Sequence, residues 1–174
     1  MKAELSGTEN RTENTDKIYL FLENARLLSE EFGIIPLLYG SLGLEYLTGE
    51  NLDADDIDIL IPKAFLTDNW VDFKNILESN GYILADEHEH TFIKDGVSYS
   101  YADIEELESF AGIFDIDIEV LENNSVKFKL LSLEQYLKVY RASAKDGYRV
   151  NVREKKDKEK ITFIEEYLRN NIKY

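Results

Sequence analysis

The sequence predicts an α+β fold: a mixed β-sheet flanked by helices, with further helices appended at the C-terminus. Three observations lead to it. Apolar residues recur at helical spacing near both ends, in Ile18, Phe21, Leu22, Ala25, Leu28 and Phe32 and again in Ile161, Ile164, Tyr167 and Leu168. Between them lie short apolar runs bounded by turn dipeptides such as Asp95-Gly96. The 174 residues, 44% hydrophobic and 12% aromatic, suit one domain with a real core rather than a disordered chain.

Taken in order, Met1 to Glu13 read as a polar lead-in, and Asn14 or Thr15 as the cap of a helix that Gly33 ends. Ile34–Tyr39 reads as the first strand, with Pro36 favouring its beginning or an edge. A short helix follows Ser41 and stops at Gly49, and the polar loop Glu50–Asp55 leads to the strand Ile57–Ile61. A helix is predicted from about Thr67 to Ser79, with Trp70, Phe73, Ile76 and Leu77 on one face. Strands are predicted at Tyr82–Ala85, Thr91–Lys94 and Val97–Asp103, the last two joined by the Asp95-Gly96 hairpin. Phe114–Leu121 and Val126–Leu130 read as a second hairpin, turning at Asn123-Asn124. Ser132 caps a helix to about Ala144, and Asp157 starts a last helix to about Asn171. The expected organisation is a core over 14–131 with the helical region 132–174 packed on it, not an independent domain.

The stretch that carries chemistry is Ile34 to Pro62, IIPLLYGSLGLEYLTGENLDADDIDILIP. Strand side chains alternate, so Asp56 and Asp58 share one face and Ile57, Ile59 and Ile61 the other. Two such carboxylates can converge on one metal or help hold two. The Gly40-Ser41 turn, ahead of a helix N-terminus, can offer backbone N–H groups and a hydroxyl to a phosphate.

This order of Gly-Ser turn, short helix and apolar-Asp-apolar-Asp-apolar strand resembles the core motif of the nucleotidyltransferase-fold superfamily, which includes DNA polymerase beta and small-molecule nucleotidyltransferases. The resemblance is strongest from Leu38 to Ile61. It implies a nucleotidyltransferase-like mixed β-sheet and a Mg²⁺-dependent transfer of NMP from an NTP to a hydroxyl of a small-molecule or protein acceptor. Nucleotidyl transfer needs charge neutralised at the phosphoryl oxygens and the attacking hydroxyl deprotonated; two divalent ions can do both, and carboxylates are their ligands. The family pattern also implies a third carboxylate on a later adjacent strand. Asp103, at the end of VSYSYAD, is the preferred position, and Asp117 in FDIDIEV is the alternative. Catalytic and metal-binding roles therefore fall on Asp56, Asp58 and Asp103, and nucleotide binding on Gly40 and Ser41. By the same resemblance, Arg141 and Lys145 would meet the triphosphate, although Lys138, Arg141 and Lys145 also fit a solvated helix face.

Competing sites fail on spacing. From Asp53 a calcium loop would need Gly at the sixth position and Glu at the twelfth, where Asp58 and Ala64 stand. His88 and His90 lack further ligands for zinc and read as loop histidines. The net charge of −15 disfavours a nucleic-acid substrate, although Lys138–Lys160 holds nine Lys or Arg against four Asp or Glu. There is no cysteine, no apolar stretch long enough for a bilayer and no apolar signal core at the start, so a cytoplasmic protein is expected. Two functions follow from the motif: an active transferase, or a catalytically inactive nucleotide- or partner-binding relative such as a toxin–antitoxin component.

Overall fold

The structure is a computed structural model that describes residues 2–145 and 152–171, with side chains described over 16–145 and 155–171. The element order is α1 (Lys2–Phe32), β1 (Leu37–Tyr39), α2 (Gly40–Thr48), β2 (Ile57–Ile61), α3 (Trp70–Ser79), β3 (Ile83–Asp86), β4 (Thr91–Lys94) and β5 (Val97–Asp103). There follow α4 (Glu106–Ala111), β6 (Glu119–Asn123), β7 (Val126–Leu130), α5 (Leu133–Lys145) and α6 (Val152–Asn171). This is the mixed sheet with helices that the sequence predicts.

The chain forms two compact units, residues 1–105 with 119–130, and residues 106–118 with 131–174. The first holds the whole seven-stranded sheet, in the order β3-β4-β5-β2-β1-β7-β6. Strand β2 lies at its centre, parallel to β5 and antiparallel to β1, while β1 runs parallel to β7. Ile57, Ile59 and Ile61 are buried with Tyr99 and Tyr101 of β5 and Phe92 of β4, against Phe21, Ala25 and Leu28 of α1 and Phe73 and Leu77 of α3. Ring contacts bind these layers: Phe73 meets Tyr101 edge-on at 5.1 Å and Phe21 meets Phe128 of β7 at 5.4 Å.

Local chemistry explains most boundaries. Gly33 takes φ +67°, and its N–H and that of Ile34 close the last turn of α1 on the Ser29 and Leu28 carbonyls. Helix α1 itself begins at Lys2 rather than at Asn14 or Thr15. Strand β1 is only three residues long. Pro36 before it has no N–H to give, and its carbonyl accepts from the Lys129 N–H at 2.8 Å. A 3-10 turn over Lys63–Leu66 delays α3 to Trp70. The β4–β5 hairpin turns on Asp95 and Gly96, both at positive φ, whereas the second hairpin turns on Asn124 and Ser125, one residue later than the sequence suggests.

The second unit consists of α4, a 3-10 turn at Asp115–Asp117, α5 and α6. The predicted strand over Phe114–Leu121 is therefore cut short. Asp117 N–H bonds the Phe114 carbonyl and Ile118 N–H that of Asp115, so pairing starts only at Glu119, in the first unit. Short Asp side chains favour such turns over strands. Ser132 and Gln135 form a reciprocal capping box at the start of α5, with bonds of 3.2 and 2.9 Å. Asp157 does not begin a helix: α6 starts at Val152, and the Asp157 carboxylate is buried in its interior, accepting from Ser143 Oγ at 2.7 Å. Among the described residues, no helix is long and apolar enough to cross a membrane.

Candidate functional site

The site is built where β1 turns into α2 beside β2. Tyr39 pairs with Asp58 across the antiparallel β1–β2 ladder, so the next residue, Gly40, arrives against the Asp58 side chain. Gly40 has φ +64°, and a Cβ placed on it would stand 2.4 Å from Asp58 Oδ2. Only glycine fits there, on both conformational and steric grounds. The glycine thus makes the cradle in which the Asp58 carboxylate lies. Ser41 follows, half-buried, in the first turn of α2.

Register extends the site sideways. Asp58 pairs with Ser100 of β5, and Ser100 pairs with Thr91 of β4. Paired residues face the same way. Tyr39, Asp58, Ser100 and Thr91 therefore form one row of oxygen-bearing side chains across β1, β2, β5 and β4, on the sheet face away from Ile57 and Ile59. Ser100 Oγ and Thr91 Oγ1 are 2.9 Å apart. Asp56 lies two residues back, exposed at the bend that leads into β2.

The loop that carries Asp56 is pinned from inside. Glu45 of α2 is 5% exposed, and its Oε1 accepts from the backbone N–H of Leu52 at 2.8 Å and of Ala54 at 3.0 Å. The Ala54 carbonyl accepts from Lys17 Nζ of α1. Ala54 is thus held on both sides just before Asp55 and Asp56. Neither Glu45 nor Lys17 stands out in the sequence, where both read as polar faces of helices; the signal, a glutamate between Leu44 and Tyr46 on a short apolar helix, is faint.

A further sequence candidate, Asp103, lies on the same strand as Ser100. Asp103 pairs with Ile61, three residues along β5 from Ser100, about 10 Å by strand rise and on the opposite face by alternation. Its Oδ1 accepts from the Glu105 N–H at 2.8 Å. The structure does not bring it to Asp58; the residue that β5 presents there is Ser100. Asp117, Arg141 and Lys145 belong to the second unit, where Arg141 pairs with Glu165 at 2.9 Å and Lys145 is exposed. His88 is exposed, whereas His90 packs edge-on against Trp70 at 4.7 Å, and partial burial lowers its pKa below the usual histidine value.

Among the described residues, no group of three or more His, Asp or Glu side chains gathers closely enough to hold a metal alone. What the site does supply is hard oxygen ligands: the cradled Asp58 carboxylate, exposed Asp56, and neighbouring hydroxyls. That donor set suits Mg²⁺, which binds through one or two carboxylates and completes its shell with water and phosphate oxygens.

No protein-family model matches the chain. Over 150 residues it is 41% identical to the Bacillus subtilis (strain 168) "Uncharacterized protein YnaI", a match covering 86% of this chain and 96% of that protein. Among solved structures it is similar to an antigenic nucleotidyltransferase-like protein from Paracoccidioides brasiliensis, with TM-score 0.56 and 18% identity over 84% of this chain and 73% of that one. It is also similar to the antibiotic-resistance factor ANT(2'')-Ia, with TM-score 0.50 and 13% identity over 90% of this chain and 93% of that one.

Proposed function

From the premise that the chain belongs to the family of Bacillus subtilis YnaI and has the nucleotidyltransferase fold, we propose that it transfers a nucleoside monophosphate from an NTP to a hydroxyl of a small molecule. The observation that carries this reading is the fit of Gly40 against the Asp58 carboxylate, which joins the Gly40-Ser41 turn and the acidic strand into one place. An acceptor oxygen forms a bond to the α-phosphorus, the bond from that phosphorus to the bridging oxygen breaks, pyrophosphate leaves, and the hydroxyl proton is released to the medium.

Asp56 and Asp58 are the metal ligands in this reading, and Gly40 and Ser41 bind phosphate. A bound Mg²⁺ would supply neutralisation of the phosphate oxygens. The chain's own part is to hold the two carboxylates on a fixed strand and a pinned loop, and to set the backbone of the turn beside them. A small acceptor fits the charge of −15 better than a nucleic acid does, and one structural neighbour is an antibiotic-resistance factor.

The test is equilibrium binding of a non-hydrolysable NTP with and without Mg²⁺, followed by pyrophosphate release from each NTP in the presence of pooled hydroxyl-bearing metabolites. We expect Mg²⁺-dependent binding and pyrophosphate release, both lost in a folded Asp58→Ala variant. Wild-type protein that binds no NTP with Mg²⁺ present overturns the reading. A second reading, nucleotide binding without turnover, is favoured by Ser100 standing opposite Asp58 where the fold family implies a carboxylate. Mg²⁺-dependent binding with no pyrophosphate from any NTP would select it.

A further inference from the structure

The sheet face that carries Asp58 continues outward over β5, β4 and β3, and its chemistry changes along the way. On β5, Ser98, Ser100 and Ala102 alternate with the buried Tyr99 and Tyr101, so they lie on the face of Asp58. Ile93 of β4 pairs with Ser98 on one side and with Ile83 of β3 on the other. Beside the row of oxygen-bearing side chains, the same face therefore runs Ser98, Ile93, Ile83. By register and strand spacing, Ile93 stands roughly 12 Å from Asp58.

These side chains are open to a ligand. Ser98, Ser100 and Thr91 are half-buried, Ala102 is exposed, and Ile93 and Ile83 are 41% and 69% exposed. Ser100 Oγ and Thr91 Oγ1 bond each other at 2.9 Å, and whichever donates, each oxygen keeps a lone pair for a ligand hydroxyl. The single lysine of β3, β4 and β5, Lys94, lies on the other face, its Nζ 4.7 Å from the Tyr82 ring centroid, so an anion finds no counter-charge from these strands. At the outer end of the row Asp86 pairs with Thr91, and its Oδ1 accepts from the Glu89 N–H at 3.1 Å. Hydroxyls nearest Asp58 and a paired aliphatic surface beyond them match a molecule that is polar at one end and apolar at the other.

We propose that this face is the acceptor subsite of the Asp58 site, and that the acceptor is an uncharged polyol with an apolar substituent. Its hydroxyls lie over Ser98, Ser100 and Thr91, one of them toward Asp58, and its apolar part covers Ile93 and Ile83. The small side chains of β5 leave room above the sheet for a ring. The inference rests on the nucleotidyltransferase reading of the Asp58 site and adds to it the chemical class of the acceptor.

The experiment is a methyl NMR titration of the whole chain with phenyl β-D-glucopyranoside, with methyl β-D-glucopyranoside as the counterpart that lacks the apolar part. It is run without nucleotide and again with Mg²⁺ and a non-hydrolysable NTP. We expect saturable binding of the phenyl glucoside that shifts the Ile83 and Ile93 methyl resonances, at least roughly ten-fold tighter than the methyl glucoside, a difference of about 1.4 kcal/mol. Ile83→Thr combined with Ile93→Thr keeps β-branched residues on both strands, and it should bring the two glucosides together while NTP binding is unchanged. Equal affinities in the wild type, binding that leaves the Ile83 and Ile93 methyls unmoved, a preference that survives the double substitution, or no saturable binding under either condition would overturn the proposal. The wild-type comparison decides even if the variant fails to fold. If the glucosides fail while the NTP binds, the acceptor class alone falls; if the NTP does not bind, the transferase reading falls and the glucoside comparison still decides whether this face takes such a ligand.

Discussion

At the scale of single residues, Gly40 is under the tightest constraint. A Cβ there meets Asp58 Oδ2 at 2.4 Å on a backbone already at φ +64°. Gly40→Ala should therefore cost about 1–2 kcal/mol for the left-handed backbone alone, and it should displace the carboxylate. For a chain of 174 residues that is a fall in Tm of about 2–4 °C per kcal/mol, measurable by calorimetry, together with loss of Mg²⁺-dependent NTP binding. Ser100 gives the converse case. Ser100→Asp places a third carboxylate in register with Asp58, and we expect at least a several-fold rise in Mg²⁺ affinity by isothermal titration; unchanged affinity would count against the proposed Mg²⁺ site at Asp58.

His90 gives a pH dependence. Partial burial against Trp70 disfavours its charged form and lowers its pKa in the folded chain, so neutral imidazole is the form that folding prefers. Its contribution to stability is complete above its ordinary pKa of about 6.5 and is lost as pH falls through the lowered folded value. A proton titration by NMR should place His90 below the ordinary histidine value, and His90→Gln should flatten the stability profile on the acid side of about pH 6.5. At this scale the sequence was readable where chemistry is local. Gly40, Asp56 and Asp58 announce themselves by adjacency, whereas Ser100 depends on strand register, which no single run of residues contains.

At the scale of elements, the loop between α2 and β2 shows how a site is held. Its backbone amides at Leu52 and Ala54 are anchored on one buried carboxylate. Glu45→Ala would leave both amides without that acceptor, at about 1–3 kcal/mol for each that stays buried, and hydrogen exchange at these two amides should accelerate while the β2 amides stay protected. In the second unit, Asp157→Ala removes the bond from Ser143 between α5 and α6, and a loss of about 1.5–3 kcal/mol is expected for a bond to a charged group, read by chemical denaturation. The hairpins, the Gly49 stop of α2 and the Ser132 cap were legible because each rests on a few neighbouring residues. FDIDIEV was misread because its alternation of Asp with apolar residues suits a strand and a short turn equally, and only the i to i+3 bonds at Asp117 and Ile118 decide. Asp157 was misread for the same reason: an aspartate ahead of a helical pattern suits a cap, and its burial against Ser143 is invisible in one dimension.

At the scale of the whole molecule, charge is the dominant bulk property. With a net charge of −15, self-repulsion opposes the folded state and salt screens it. Tm should therefore rise as NaCl increases from about 0.02 to 0.3 M, over which the screening length falls severalfold; a flat response would mean that the acidic groups are paired well enough to cancel.

The sheet order has a further consequence. Strand β1 finds its β2 neighbour just beyond α2, where Tyr39 pairs with Asp58, but its other side is closed by β7, and Leu38 pairs with Leu130, 92 residues on. On the ribosome, the glycine turn and the acidic strand can associate early, while one flank of the central sheet waits for three further hairpin-forming stretches to emerge. Closure of so long a loop is slow. A nascent chain stalled before Val126 would therefore carry its chemistry on a sheet with an open hydrophobic flank, the stage at which a holding chaperone would have most to grasp.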